Sequence, residues 1–373
     1  MIKKSNIEDY KMSNKAKIAK FIYKQNETSK QEICKLLGLS MPTVLQNIKE
    51  LIETGIVVEV GKYQSTGGRK AKALSISENI KYSIGVDITN NHISFVLLNL
   101  KGNMIKKERI RCRYEDSLDY YETLGRLVDN FIKESNVDID KILGVGISIP
   151  GIVDEDNLIL TRSHTLKLSN ISLKNFIQFI KYDTCFKNDA NSAAYAEITL
   201  NNKQCIYLSL SNTVGGAIYM NNSIYMGDNL KSAEFGHIII RPDGKSCYCG
   251  KNGCVDAYCS ANVLSQNSDH DLDLFFKELE NGNEKYLSIW NEYLDNLAIV
   301  VTNLRMVFDC HIILGGYVGG YLENYILDIN KSISKYNSFE IDTSYVSAAK
   351  YKKEASAVGA GIQFIDNFFD SLI

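Results

Sequence analysis

The pattern His237…Cys247-Tyr-Cys249…Cys254 constrains this chain more than any other feature. Three of the nine cysteines fall within eight residues, and a histidine lies ten positions upstream. Zinc takes four nitrogen or sulfur ligands in a tetrahedron, and one Cys3His set fills a closed structural site. Gly250 and Gly253 permit the tight turn that returns the third thiolate to the metal. Without a metal the same residues read as a cluster of buried thiols or a disulfide. The histidine and the glycines favour zinc.

A length of 373 residues allows two or three domains with sizeable cores. Hydrophobic content of 45% and charged content of 23% belong to a soluble globular protein. The N-terminus, Met1-Ile-Lys-Lys-Ser-Asn, has no apolar signal region, and no run is long enough to span a bilayer. With an odd cysteine count, this predicts a reducing, cytoplasmic setting. The net charge of −2 hides an asymmetry. Residues 1–76 hold 14 Lys+Arg against 7 Asp+Glu, and the remainder holds 28 against 37. A basic head on an acidic body fits a nucleic-acid-binding module joined to a sensor or enzyme. A solvated lysine-rich face gives the same count.

The head has a readable local pattern. Ser13–Gln25 carries Ile18, Ala19, Phe21 and Ile22 at helical spacing. Ser29-Lys-Gln-Glu32 has capping-box spacing and opens a second helix, which Gly38 ends. Ser40 caps a third helix, with Pro42 tolerated in its first turn. Helix, tight glycine turn and helix form the helix-turn-helix unit, whose second helix enters the major groove. Val44, Ile48, Leu51 and Ile52 form the inner face of that helix. Thr43, Gln46 and Asn47 face away, and Gln and Asn can pair with adenine edges. Ile56–Val60 and Ala71–Ile76 read as two strands flanking a wing. Arg69 and Lys70 at its Gly-Gly-Arg tip are placed to reach phosphates or a narrow minor groove. A winged helix can also serve as a protein-interaction module.

From about Lys81 strands alternate with helices. Tyr82–Ile88 and Ile93–Leu98 read as a hairpin, and Cys205–Leu210 with Ala217–Met220 repeats it. Leu118–Ser135, Leu294–Phe308 and Ala355–Phe368 read as helices, and Ile142–Ile149 and His311–Leu314 as buried strands. Two similar halves predict a duplicated, two-lobed fold with a cleft between the lobes.

Several of these segments resemble the ROK family (repressors, open reading frames, kinases). Glu234-Phe-Gly-His237 followed by Cys247-Tyr-Cys-Gly-Lys-Asn-Gly-Cys254 is similar to the family's zinc-containing signature. Ser-Thr-Gly-Gly-Arg69 looks like the wing of its transcriptional regulators, and Pro150-Gly-Ile-Val-Asp154 like its Pro-Gly turn. The resemblance runs from Ser13 to Gln363. It implies an α/β chain with an N-terminal winged helix-turn-helix followed by a two-lobed actin/hexokinase-like ROK domain. The expected division is residues 1–78 and 79–373. The lobes are then roughly 79–188 with the C-terminal helix 355–373, and 189–354.

Asn188-Asp189-Ala-Asn191 matches the motif that supplies the base in the family's sugar kinases. By the same resemblance Asn188, Asp189, Glu234, His237 and Asp256 contact a sugar, although Asp256 stands where the family usually has Glu. His237 would then serve zinc through one ring nitrogen and a sugar hydroxyl through the other. The phosphate loops depart from the family. Asp87-Ile-Thr89-Asn90-Asn91 replaces Asp-Xaa-Gly-Gly-Thr, and Ser211-Asn212-Thr213 replaces Gly-Thr-Gly. Glycines serve such loops because backbone N–H groups must approach phosphate oxygens. The implied function is a transcriptional repressor that binds operator DNA as a homodimer and responds to a sugar or sugar phosphate. A structural Zn2+ is the implied cofactor. A sugar kinase with a regulatory head, its catalytic base Asp189, is the alternative. A scaffold for a regulatory protein is a third.

Overall fold

The computed structural model describes residues 12–62, 72–198, 204–221 and 223–373. Three helices open the chain, α1 (Asn14–Gln25), α2 (Lys30–Leu37) and α3 (Met41–Glu53). Each begins at a serine. Ser13, Ser29 and Ser40 accept the backbone N–H groups of Ala16, Glu32 and Thr43, which satisfies one orphan donor per helix. The Glu32 carboxylate accepts the Thr28 hydroxyl. Gly38 ends α2 at a φ of +65° and turns the chain into α3. Strands β1 (Val57–Lys62) and β2 (Lys72–Ile76) pair antiparallel behind the helices. The expected wing tip, with Arg69 and Lys70, lies outside the described residues.

The first half of the body runs β3 (Tyr82–Ile88), β4 (His92–Asn99), β5 (Met104–Arg111), α4 (Leu118–Glu134) and β6 (Ile142–Ile149). A small antiparallel sheet follows, β7 (Ile152–Asp154), β8 (Ile159–Ser163) and β9 (Leu168–Ser172). Then come α5 (Lys174–Ile177), β10 (Thr184–Asn188) and α6 (Asp189–Ile198). The second half runs β11 (Cys205–Leu210), β12 (Val214–Met220), β13 (Ser223–Ile224), α7 (Asp256–Cys259), α8 (Ala261–Ser265), α9 (Leu272–Glu280) and α10 (Glu284–Phe308). It ends with β14 (His311–Gly315), α11 (Gly316–Gly319), α12 (Ile326–Ile333), β15 (Val346–Ala348) and α13 (Ala355–Asp370).

The two main sheets share one topology, β10-β6-β3-β4-β5 and β13-β12-β11-β14-β15. In each, an antiparallel meander is extended by two parallel strands on the other side of its first strand. The duplication expected from the hairpin repeat is present. Each half also ends in a helix that packs on the sheet of the other. Ala193, Ala194 and Ile198 of α6 lie in a cluster with Tyr207, Ala217 and Ile313. α13 lies on β3, β4 and β6. Its approach is at backbone distance, since a Cβ at Gly85 would stand 1.8 Å from the Ala357 carbonyl oxygen.

Head and body are not separate cores. Ile18, Ile22 and Val44 of the head share one apolar cluster with Val96, Leu98, Ile365 and Phe369 of the body. The Tyr23 and Phe369 rings lie 5.1 Å apart. Lys20 pairs with Asp370 at 2.6 Å, and the Ser13 hydroxyl donates to the Leu372 carbonyl at 2.6 Å. α13 therefore touches the first sheet, α6 and α1 along its 16 residues.

The contact between α6 and α13 makes a sharp prediction. A Cβ at Gly359 would lie 1.7 Å from the Ser192 carbonyl oxygen. Gly359→Ala should cost about 1–3 kcal/mol or more, because neither backbone can give way without moving a lobe. Gly320→Ala, where the nearest atom to a new Cβ is 3.4 Å away, should stay within about 0.5 kcal/mol. Urea midpoints of both variants check the difference.

Candidate effector site

A cavity of about 530 Å3 opens between the lobes. Pro150, Gly151 and Ile152 from the turn after β6 form one wall, and Ser209, Glu234 and His237 line the opposite one. Asn188 and Asp189 lie at its base. They are positioned by the start of α6. Asn188 Oδ1 accepts the Asn191 N–H at 2.9 Å, so Asn188 caps the helix. Its Nδ2 donates to the Gly151 carbonyl at 2.8 Å and to Asp189 Oδ1 at 3.0 Å. With Asn188 as the cap, Asp189 lines the cavity. Burial pushes its carboxyl up to about 6, with the Glu234 charge adding to the shift against the hydrogen bonds it accepts. The Glu234 carboxylate makes no hydrogen bond among the described residues.

Four ligand atoms of His237, Cys247, Cys249 and Cys254 lie within 4.8 Å of one another. Cys249 and Cys254 sulfurs are 3.7 Å apart, and Cys247 Sγ is 3.8 Å from His237 Nδ1. A zinc tetrahedron with bonds near ~2.3 Å has edges of about 3.8 Å, so the donor set fits that ion. The loop is closed by the Gly253 carbonyl, which accepts the Ile240 N–H at 2.9 Å. Burial pushes the Cys247 thiol up to about 12, whereas the Lys251 backbone N–H holds Cys249 below the ordinary thiol range. Burial also depresses the His237 pKa, which keeps the ring neutral and available as a ligand.

His237 Nε2 lies 3.3 Å from the Tyr248 hydroxyl. One expectation is corrected here. Asp256 does not line the cavity: its buried carboxylate accepts the Val214 N–H at 2.7 Å, because its side chain turns toward the start of β12. Tyr248 was missed, although it sits between two cysteines of the signature. It lines the cavity with its ring 5.3 Å from His237 and 5.7 Å from His164. His164, Arg162 and Lys231 also reach the lining, and only the fold brings them there.

A second space of about 700 Å3 adjoins the first through Asp189 and Thr165. Thr89, Asn90 and Asn91 line it from one lobe, and Ser211, Asn212 and Thr213 from the other. Each loop has part of its backbone engaged. The Thr89 N–H donates to the His92 carbonyl at 2.9 Å, and Ser211 and Asn212 carbonyls accept Ala261 N–H and Asn262 Nδ2 at 2.7 Å. Val214 N–H is held by Asp256. Arg109 of β5 lies over the Tyr317 ring of α11 at 5.7 Å, so a side chain of one lobe rests on the other.

On the head, Gln46 is exposed and Thr43 and Asn47 are half-buried. Asn47 Nδ2 donates to the Thr43 carbonyl at 2.8 Å, and the Thr43 hydroxyl pairs with Ser40 at 2.8 Å. Part of their hydrogen-bonding capacity is therefore used within α3. Leu45 and Lys49 stand exposed beside Gln46, and neither was singled out from the pattern.

Residues 83–366 match the ROK family, and residues 14–58 match a winged helix-turn-helix DNA-binding family. The chain belongs to the ROK family. It is 26% identical to the xylose repressor of Bacillus subtilis strain 168 over 380 residues, covering 97% of each protein. It is 24% identical to the DNA-binding transcriptional dual regulator NagC of Escherichia coli K12, covering 70% of this chain and 66% of that protein. Among solved structures, a ROK family transcriptional regulator homologous to the E. coli MLC protein superimposes with a TM-score of 0.73. It has 18% identity and 96% coverage of both chains. A ROK glucokinase from Streptomyces griseus, solved with glucose and AMPPNP, gives a TM-score of 0.65 at 23% identity. That match covers 76% of this chain and 98% of the glucokinase. The ROK fold thus spans the body, and the head is the part the glucokinase lacks.

The ROK cleft carries a pH signature. Burial pushes the Asp87 carboxyl up to about 7, with Asp189 adding to it and the Ser148 hydrogen bond and Arg109 opposing it. A carboxyl raised in the folded state favours folding below its unfolded pKa near ~4, and that contribution is lost as pH rises through about 7. Wild-type stability should therefore fall between pH 5 and 8. Asp87→Asn should remove on the order of 2 kcal/mol of that fall. Denaturant midpoints at the two pH values test this, and equal slopes for wild type and variant would refute it.

Proposed function

We propose that the protein is a DNA-binding transcriptional repressor whose ROK body senses a sugar. The carrying observation is the contrast within the cleft. Asn188, Asp189, Glu234 and His237 line its sugar side, while the phosphate-loop positions Thr89, Asn90, Ser211 and Thr213 carry side chains where the family's kinases have glycine. The named repressors among its relatives support the same reading. Residues 1–78 act as the DNA-binding head and 79–373 as the effector-binding body, divided into the two lobes expected from the sequence. Gln46, Thr43 and Asn47 read bases, joined by exposed Leu45 and Lys49. Arg69 and Lys70 add wing contacts. A homodimer in the cytoplasm matches two heads to two operator half-sites. Among the described residues no helix is long and apolar enough to cross a membrane.

His237, Cys247, Cys249 and Cys254 hold one structural zinc in this reading. The metal contributes cross-linking of a loop that forms the cavity wall, so that His237 and Tyr248 present fixed faces to the effector. Purified protein should contain close to one zinc per chain by elemental analysis. Cys249→Ser should lose the metal and weaken effector binding together. A fully folded, metal-free wild type would end this assignment.

Sugar binding should need no nucleotide. A sensor requires only that sugar bind one lobe arrangement better than another, whereas a kinase must clamp sugar and nucleotide together. Calorimetry with D-xylose and with N-acetylglucosamine, the sugars in the relatives' names, should detect binding of one without ATP. Glu234→Ala should abolish it. Duplexes selected from a random pool by the wild type should then bind with an affinity that the sugar changes roughly 5–150-fold. ATP-dependent phosphorylation of that sugar, lost in Asp189→Asn, would instead favour the kinase.

A further inference from the structure

We propose that α6 and α13 form a lever that carries effector occupancy to the DNA-binding head, and that Tyr195 and Asp366 are its coupling joint. The proposal rests on the function just given and names how its two sites communicate.

The two helices run parallel, with the N-terminus of α6 at the effector cavity and that of α13 at the adjoining second space. Three contacts join them in order along one face of each. At the cavity end, the Ser356 hydroxyl of α13 donates to the backbone carbonyl of Asp189 at 3.1 Å. Asp189 itself lines the cavity. In the middle, Gly359 meets the Ser192 carbonyl with no room for a Cβ. At the far end, the Tyr195 hydroxyl donates to Asp366 Oδ2. The spacing is 189, 192, 195 on α6 and 356, 359, 366 on α13, which keeps each set on one helix face. Glu197, at the next turn of α6, accepts the backbone N–H groups of Lys350 and Tyr351 at 2.9 and 2.6 Å, which ties it to the segment leading into α13.

The far end of α13 is the seat of the head. Asp366 lies at the charge-bearing centre of that seam, with Lys20, Lys24 and Tyr23 of α1, Asp370 of α13 and Tyr195 of α6 around it. Burial raises its pKa, opposed by the Tyr195 hydrogen bond and the two lysines. Phe369 packs on Tyr23, Asp370 pairs with Lys20, and the Leu372 carbonyl receives the hydroxyl of Ser13. Ser13 is also the N-cap of α1. The cap of the head's first helix is thus tied to the chain just past the body's last helix.

Mechanically, Gly359 against Ser192 is a pivot, because that contact is closest and has no side chain to yield. α6 packs on the second sheet and α13 on the first. Any change in lobe angle on filling the cavity therefore rotates one helix against the other about this point. The cavity-side bond and the head-side bond lie on opposite sides of it. α13 is about 24 Å long at ~1.5 Å per residue, so a small rotation at the cavity becomes a larger displacement of α1 and of α3 packed on it. Tyr195–Asp366 is the polar bond that makes the head follow α6 as well as α13. Two alternative settings of that bond would be a two-state element that both sites bias.

The test uses the full chain, the sugar found by calorimetry and the selected duplex. Tyr195→Phe removes one oxygen and keeps the ring. Sugar affinity and duplex affinity, each measured alone, should stay within about threefold of wild type, while the sugar-induced change in duplex affinity falls from at least about fivefold to under about twofold. Asp366→Asn should act in the same direction, and the double variant should add little to either single change. A merely structural role would lower melting temperature and both affinities together and leave the ratio unchanged. That outcome, or a wild-type ratio in Tyr195→Phe, overturns the proposal while the sensor reading stands. A wild type whose duplex affinity ignores the sugar it binds overturns both. Should the variants fail to fold, amide exchange of wild type decides. Sugar should change protection in Asn14–Gln25 and in the last turn of α13 without DNA, and unchanged exchange there refutes the lever.

Discussion

The backbone contact between α6 and α13 is the constraint on which the rest of the structure depends. Burial of apolar surface is non-directional and would hold two sheets together in many relative orientations. A carbonyl set against a glycine selects one. Because each helix ends one half of the duplication and packs on the sheet of the other, their register fixes the angle between lobes. That angle sets the width of the cavity and which residues reach it. The same register places the end of α13, and with it the head. A single close approach therefore positions two sites that share no residue.

Inside the cleft, electrostatics follow from burial. Asp87 and Asp189 are both raised, each partly by the other's charge or by Glu234. Carboxyls so placed are acceptors seeking donors, and a sugar offers several hydroxyl donors at once without bringing a charge into low dielectric. Arg162 and Lys231 at the lining add donors for the ring and hydroxyl oxygens. Tyr248 adds an aromatic face, and its hydroxyl is oriented by His237. The donor set of His237, Cys247, Cys249 and Cys254 stands behind that wall, and the zinc proposed there would back it rigidly.

Much of this was legible in the sequence because it is local. The Ser29 and Ser40 caps, the Gly38 turn, the Cys/His signature and β6 follow from patterns spanning four to twenty residues. β6 occupies the expected Ile142–Ile149. Errors lie where long-range packing decides. α10 extends ten residues upstream of the expected Leu294, to Glu284, because Trp290 and Tyr293 bury into a core built by distant elements. No expected strand covers the small sheet β7–β9, whose strands are only three to five residues long. Asp256 stands where the family usually has Glu, and its carboxylate is held by the Val214 N–H rather than at the cavity. Tyr248, His164 and Arg162 meet only through folding, and no spacing rule joins residues 162, 164 and 248. The head–body seam was invisible for the same reason. Composition separates a basic head from an acidic body, but Ile18, Val96 and Phe369 belong to one cluster that charge counting cannot detect.

The nucleotide side of the cleft explains how a catalytic fold can serve as a sensor. A phosphate-binding loop works because free backbone N–H groups converge on oxygens. Here Thr89 and Val214 already donate to His92 and Asp256, and side chains stand where bare backbone would be needed. Breaking those bonds to admit a phosphate would expose buried polar groups, each at about 1–3 kcal/mol. Arg109 meanwhile reaches across to the Tyr317 ring, a contact worth about 0.5–2 kcal/mol between lobes that a nucleotide would otherwise separate. With the lobe angle biased by side chains on one side and by the effector on the other, the sugar's own differential affinity is sufficient to move the equilibrium. In the proposed sensor, a two-lobed hinge answers to a single small molecule.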